Sequence, residues 1–198
     1  MLWIRTDWLR KLNLQPPKTM KDLIAIATAF AKNDPDGNGK ADTIGISINK
    51  DLFYGLGWCM SGIDIFFNGY HAYPTQWLKD GTGKKLIFGG IQPEVKTALA
   101  TLQTLYKAGV VDPEFGTTDS EKVVEEVTVG TVGILLNPWW APEYPLIFNR
   151  QKDPNADWQC YKMVSADDRP VKVFAESGRV GGSRGVLNGY GNPEAMIK

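Results

Sequence analysis

The sequence is poor in the residues that usually announce chemistry. It holds one histidine, His71, and two cysteines, Cys59 and Cys160, far apart in the chain. That spacing fits neither a metal cluster nor a dense disulfide framework, so both cysteines are expected as buried thiols. His71 lies in the turn-rich "NGYHAYP", with no nucleophile motif beside it and no HExxH helix, and reads as a surface or packing residue. Long apolar runs are missing too, since none approaches the roughly 18 to 20 residues that span a bilayer. The 22 basic side chains balance the 22 acidic ones. No basic run stands out, so the long-range field that would gather nucleic acid or anionic lipid is absent. "GRVGGSRG", Gly178 to Gly185, lacks the Lys and Ser/Thr ending of a phosphate-binding P-loop and reads as a flexible loop.

What is present is a globular composition, 198 residues with 43% hydrophobic side chains, enough for one sizeable core or two small lobes. The opening "MLWIRTDWLRKL" has no charged leader, hydrophobic region or cleavage site. Its first residues, Leu2, Trp3 and Ile4, are already core-like. The closing "GNPEAMIK" offers Asn192 as an N-cap with Pro193 and Glu194 behind it, the way a helix opens. The expectation is a piece of a longer protein.

Three helices carry clear signals. After a short helix over "TDWLRKLNL" capped by Thr6, with Trp3 and Trp8 in its amphipathic pattern, Thr19 and Asp22 form a capping box. It opens a helix with Met20, Leu23, Ile24, Ala27, Phe30 and Ala31 on one face. Pro93 opens a second, with Val95, Ala98, Leu99, Leu102 and Tyr106 inward and Gly109 at its end. The third runs from about Asp119 to Gly130 on Val123, Val124 and Val127. "TIGISI" and "TVGILL" read as strands, the second short and apolar like a buried one. "KDGTGKK" reads as a turn joining strands through Trp77 and Phe88. "WQCYKMV" and "VKVFAE" alternate as half-exposed strands do. The mixture indicates an α/β or α+β domain.

"NDPDGNGKADTIG" sets an oxygen-bearing side chain at every second position. With Asp34 as position 1 of a loop, Asp36 falls at 3, Asn38 at 5, Gly39 at 6 for the bend, the Lys40 carbonyl at 7 and Asp42 at 9. Hard divalent cations take convergent oxygens at about 2.3 to 2.6 Å, and this is three quarters of an EF-hand loop. Position 12, where a bidentate Glu belongs, is Gly45. Two readings follow, a structural calcium site or a solvated Asp/Gly turn.

In order and spacing, "LWIRTDWLRKLNLQPPKTMKDLIAIATAFAKNDPDGNGKADTIGI", "PEVKTALATLQTLYKAGVVDPEF", "VGTVGILLNPWW" and "NPEAMIK" together resemble the extracellular solute-binding proteins of bacterial ABC importers, in the lipoprotein group that binds oligosaccharides. The resemblance implies an α/β fold of the type II periplasmic-binding-protein kind, here truncated to one lobe with hinge-proximal helices. Residues 1–50 would hold those helices and the calcium loop, and 51–198 most of the second lobe. It implies solute capture by closure of two lobes without chemistry, an ABC permease as partner and an oligosaccharide as solute. It also implies a cell-surface lipoprotein held to the membrane by an anchor outside this chain. Some members carry a calcium loop at Asp34 to Asp42.

A sugar site wants flat rings and a few planar hydrogen-bonding groups. The expected platform is Trp139 and Trp140, where "TVGILL" would emerge toward a cleft, with Trp58 and Trp77 as further candidates. Two other classes stay open. A glycoside hydrolase would use a carboxylate pair from Asp64, Glu143 and Glu176, although nothing local pairs any two of them. A calcium-stabilised protein-interaction module would show a broad apolar patch instead of a concave aromatic groove.

Overall fold

The computed structural model describes residues 1–53 and 60–173, with positions 186, 189, 191 and 192. Its centre is a four-stranded mixed sheet in the order β2-β5-β1-β6, built from Leu2–Arg5 (β1), Ile44–Ile46 (β2), Val132–Leu136 (β5) and Trp158–Tyr161 (β6). Strand β5 runs parallel to β2 and antiparallel to β1, with Trp3 opposite both Leu135 and Cys160. The first residues are therefore a central strand, and Trp3 belongs to it and not to the amphipathic helix pattern expected of it. The sheet takes strands from both sides of position 50.

Helices cover both faces, which is why β5 is buried at all five residues. Alternation along β1 sends Leu2 and Ile4 to one core, shared with Phe30, Ile46, Phe66 and Ile134. Trp3 goes to the other, shared with Val123, Val127, Leu135, Leu146 and Trp158. Helix α1, Thr6–Lys11, begins with Thr6 as its first residue, and its N-cap is Arg5. The Thr6 hydroxyl donates to the Asp157 carbonyl at 3.0 Å, tying α1 to the entry of β6.

Helix α2, Met20–Lys32, opens on the expected capping box: the Asp22 N–H donates to Thr19 Oγ1 at 3.1 Å and the Thr19 N–H to Asp22 Oδ2 at 2.9 Å. It lies on the sheet so closely that a side chain at Gly133 would run into the Phe30 ring. Helix α3 spans Asp64–Gly69, and β3 (Trp77–Lys79) pairs with β4 (Leu86–Phe88) in a hairpin whose register sets Trp77 opposite Phe88. In α4, Pro93–Lys107, the buried residues are Val95, Ala98 and Leu105, while Leu99 and Tyr106 are exposed. Tyr106 packs instead on Phe115, with ring centroids 5.7 Å apart. Helix α5, Ser120–Val129, is capped by Asp119, which accepts from the Lys122 N–H at 2.9 Å, and closes on Gly130 at φ +93°. Helix α6, Leu146–Lys152, packs beside it. Residues 171–173 form no strand, which corrects the reading of "VKVFAE"; the rest of that stretch lies outside the described residues.

Candidate functional site

Strand β5 delivers its chain to the end of the sheet at Leu136, and Pro138 stops it there because proline has no N–H for the ladder. Asn137 is buried at that corner, and its side-chain Oδ1 accepts from the Ser61 N–H at 3.2 Å. The Pro138 carbonyl accepts from the Trp3 indole at 3.2 Å and from the Ala141 N–H at 3.2 Å. These bonds fix a tight turn that leaves Trp139 69% exposed while Trp140 packs down on the second core.

In front of this turn lies an open groove of about 1040 Å³. Trp139, Trp140 and Asn137 form one side, Asp64, Ile65 and Asn68 of α3 another, and Tyr161 at the end of β6 with Lys162 and Met163 after it a third. Its surface is largely apolar, with a few amide, phenol and charged groups at the rim, the composition of small-molecule sites. Ser61, at φ +65° and fully buried, carries the chain into the α3 wall, its hydroxyl donating to the Ser47 carbonyl at 2.5 Å.

The structure thus brings Trp139 and Trp140 to one groove and leaves Trp77 out of it, 67% exposed on the β3–β4 hairpin and tilted against Phe88. Trp58 lies outside the described residues, as do Cys59, Glu176 and "GRVGGSRG". Cys160 is exposed and lines the groove, correcting the expectation of a buried thiol: it lies near the end of β6, an edge strand, where the groove opens. Asp64 lines the groove but Glu143 does not, so no second carboxylate of the expected set faces Asp64 among the described residues. His71 pairs with Asp167 at 2.9 Å and meets the Ser165 hydroxyl at 3.2 Å, which pins the 165–169 loop to the end of α3. Asn137, Asn68 and Tyr161 were missed by sequence reasoning. Asn137 had a signal, standing between a buried strand and "PWW".

The acidic loop follows α2 directly. Gly37 and Gly39 take φ +77° and +76°, conformations glycine adopts freely. Asp34 accepts from the N–H groups of Gly37 and Asn38 at 3.1 Å on one oxygen and of Gly39 at 3.0 Å on the other. A hydrogen bond with Asp36 and these N–H donors hold its carboxyl below the ordinary range, whereas partial burial and neighbouring carboxylates push Asp36 up. Asp36 and Asp42 converge on one point, occupied by the Asn38 amide nitrogen at 2.8 Å and 3.1 Å. The Asn38 oxygen turns away to accept from the Lys40 N–H at 2.7 Å.

Among the described residues, no group of three His, Cys, Asp or Glu stands in metal-holding geometry. The donor types fit a hard cation, but the Asn38 amide must turn over for its oxygen to join the two carboxylates. Gly45 has its own reason: a side chain there would strike the Ala27 carbonyl, so β2 has no room for the glutamate of position 12.

No family model matches the chain. It is 32% identical over 178 residues, 90% of its length, to the polygalacturonan/rhamnogalacturonan-binding protein YtcQ of Bacillus subtilis (strain 168), of which it covers 34%. Lipoprotein LipO of the same strain is 33% identical over 68% of the chain, which covers 26% of that protein. The substrate-binding protein FusA of the S. pneumoniae ABC transporter, solved with kestose, superposes with a TM-score of 0.58 at 27% identity, over 68% of this chain and 26% of that one. The chain is similar to one segment of each of these proteins. It spans about a quarter to a third of the length of these relatives. The described part has the α/β fold of the type II solute-binding proteins, in part. A further FusA structure, 26% identical over 68% of this chain, is an EF-hand mutant bound to fructo-nystose, with a TM-score of 0.57. The alginate-binding protein AlgQ2, solved without calcium ion and 20% identical over 79% of the chain with a TM-score of 0.59, shares the fold.

Proposed function

We propose that this chain is the groove-bearing part of an extracellular solute-binding protein that captures an oligosaccharide for an ABC importer. The single observation that carries the reading is the exposed Trp139 ring at the mouth of the groove, at the end of the sheet's most buried strand. A rigid strand ending in a proline turn gives the ring a fixed orientation, and a sugar face can stack on it while Asn68, Tyr161 and Lys162 meet its hydroxyls. Capture without chemistry is supported by the relatives, which are named as binding proteins and not as enzymes. In the intact protein a second lobe closes on the solute, ligand binding favours the closed form, and that form docks on the permease. A cell-surface position with a lipid anchor outside this chain goes with that role.

The Asp34 to Asp42 loop is proposed to hold a structural calcium ion, with Asp34, Asp36, Asn38, the Lys40 carbonyl and Asp42 as ligands. The convergence of Asp36 and Asp42 on one point supports it. The ion supplies charge that draws these carboxylates together and so fixes the link between α2 and β2.

Titration with galacturonan oligosaccharides and kestose, followed by tryptophan fluorescence, tests the main reading. The expected result is weak saturable quenching, with a dissociation constant of about 1 mM or higher because one side of the clamp is not contributed by this segment. Quenching is lost in Trp139→Ala, and no reducing ends are released. Release of reducing ends would overturn capture without chemistry. A micromolar constant by calorimetry would refute the idea that the groove needs a second lobe.

A further inference from the structure

The hairpin of β3 and β4 leaves Trp77, Lys79, Leu86, Ile87 and Phe88 exposed and Leu78 half-buried. Because side chains alternate along a strand, the pairing of Trp77 with Phe88 and of Lys79 with Leu86 gathers those four on one face, and Leu78 with Ile87 on the other. The Trp77 and Phe88 rings meet at 5.4 Å. Leu86 is 64% exposed, and Ile91, in the 3-10 turn that follows β4, is 81% exposed. Contiguous apolar surface of this kind on a soluble domain marks an interaction site.

The charge around it is mainly positive, three lysines against the one carboxylate of Asp80. Lys79, Lys84 and Lys85 are all exposed. The one carboxylate of the turn, Asp80, accepts from the Thr82 hydroxyl at 2.8 Å and from the N–H groups of Thr82, Lys84 and Lys85 at 3.1 to 3.3 Å, bonds that lower its pKa and leave one negative charge beside the three lysines.

We propose that this hairpin is a membrane-surface contact, with Trp77, Leu86, Phe88 and Ile91 entering the interface of an anionic phospholipid bilayer while the three lysines meet its phosphates. Tryptophan and lysine suit that depth, the ring at the headgroup level and the ammonium reaching back to charge. Leu86, Ile87 and Ile91 offer aliphatic surface on which no sugar stacks, so the hairpin is not a second carbohydrate platform. A protein partner would cover one face, whereas immersion serves both. A second copy of the chain would bring the two lysine clusters together, which opposes pairing. The zero net charge removes long-range attraction only, since a local cluster acts within a Debye length of the surface, about 8 Å at physiological salt.

Co-sedimentation of the whole 198-residue chain with vesicles tests the proposal, using phosphatidylcholine alone and an equal mixture with phosphatidylglycerol. The chain is expected to pellet with the anionic vesicles, less so as salt is raised, and to stay in solution with the neutral ones. Lys84→Gln with Lys85→Gln should weaken binding roughly fivefold per lysine. Leu86→Ser with Ile91→Ser should weaken it roughly tenfold or more. All four positions are exposed, and circular dichroism checks that both variants keep the fold. No pelleting with either vesicle, equal pelleting with both, or pelleting that survives both double variants would overturn it.

Discussion

Glu126 stands on α5 with its carboxyl partly withdrawn from water, and that desolvation, helped by the nearby charge of Asp112, pushes its pKa up to about 7. In an unfolded chain a glutamate titrates near about 4.3. Between those values the folded protein holds a proton that the unfolded chain has released. The stabilising contribution is complete below the unfolded value and is lost as pH rises through the folded one. The melting temperature is therefore expected to fall between about pH 5 and about pH 8, and Glu126→Gln to flatten that fall and raise stability at the upper end. Parallel melting curves for the two proteins across this range would rule the assignment out. The same residue shows a limit of reading by sequence: "SEKVVEEV" presents Glu125 and Glu126 alike, and only the fold makes Glu125 exposed and Glu126 half-buried.

At the scale of elements, the helices were legible where local chemistry decides them. Thr19 and Asp22 specify the start of α2 through two short side-chain bonds that involve no other part of the fold. Thr19→Ala is expected to cost about 1 kcal/mol of stability by urea unfolding; an unchanged midpoint would mean that the sheet, and not the cap, holds this end. Pro93 and Gly130 mark the start of α4 and the end of α5 in the same local way. The inward face of α4 was less legible. Its apolar stripe is wider than the surface it covers, and the core accepted Leu105 while leaving Leu99 and Tyr106 outside. Trp3 shows the same limit from the other direction, since "LWIR" is too short for its period to separate a strand from a helix entrance.

For the molecule as a whole, the acidic loop links α2 to β2, and β2 is one of the two edge strands of the sheet. A cation that binds only the folded form stabilises everything that unfolds with it. The thermal midpoint is expected to rise by several degrees from excess chelator to millimolar calcium, with the rise lost in Asp36→Ala. Identical midpoints would leave the loop a hydrogen-bonded turn of the kind Asn38 now organises.

By itself the sequence determined the helices with capped ends, the apolar strand at "TVGILL" and the hairpin through Trp77 and Phe88. All of these rest on interactions between residues close in the chain. Only the tertiary structure decided that residues 2–5 run between strands from positions 132–136 and 158–161, and that one groove joins Trp139 and Trp140 to α3 and to Tyr161. It alone made Gly45 and Gly133 obligatory through contacts with Ala27 and Phe30. Those outcomes depend on which apolar faces meet, and pairings between distant segments leave no period in the sequence that forms them.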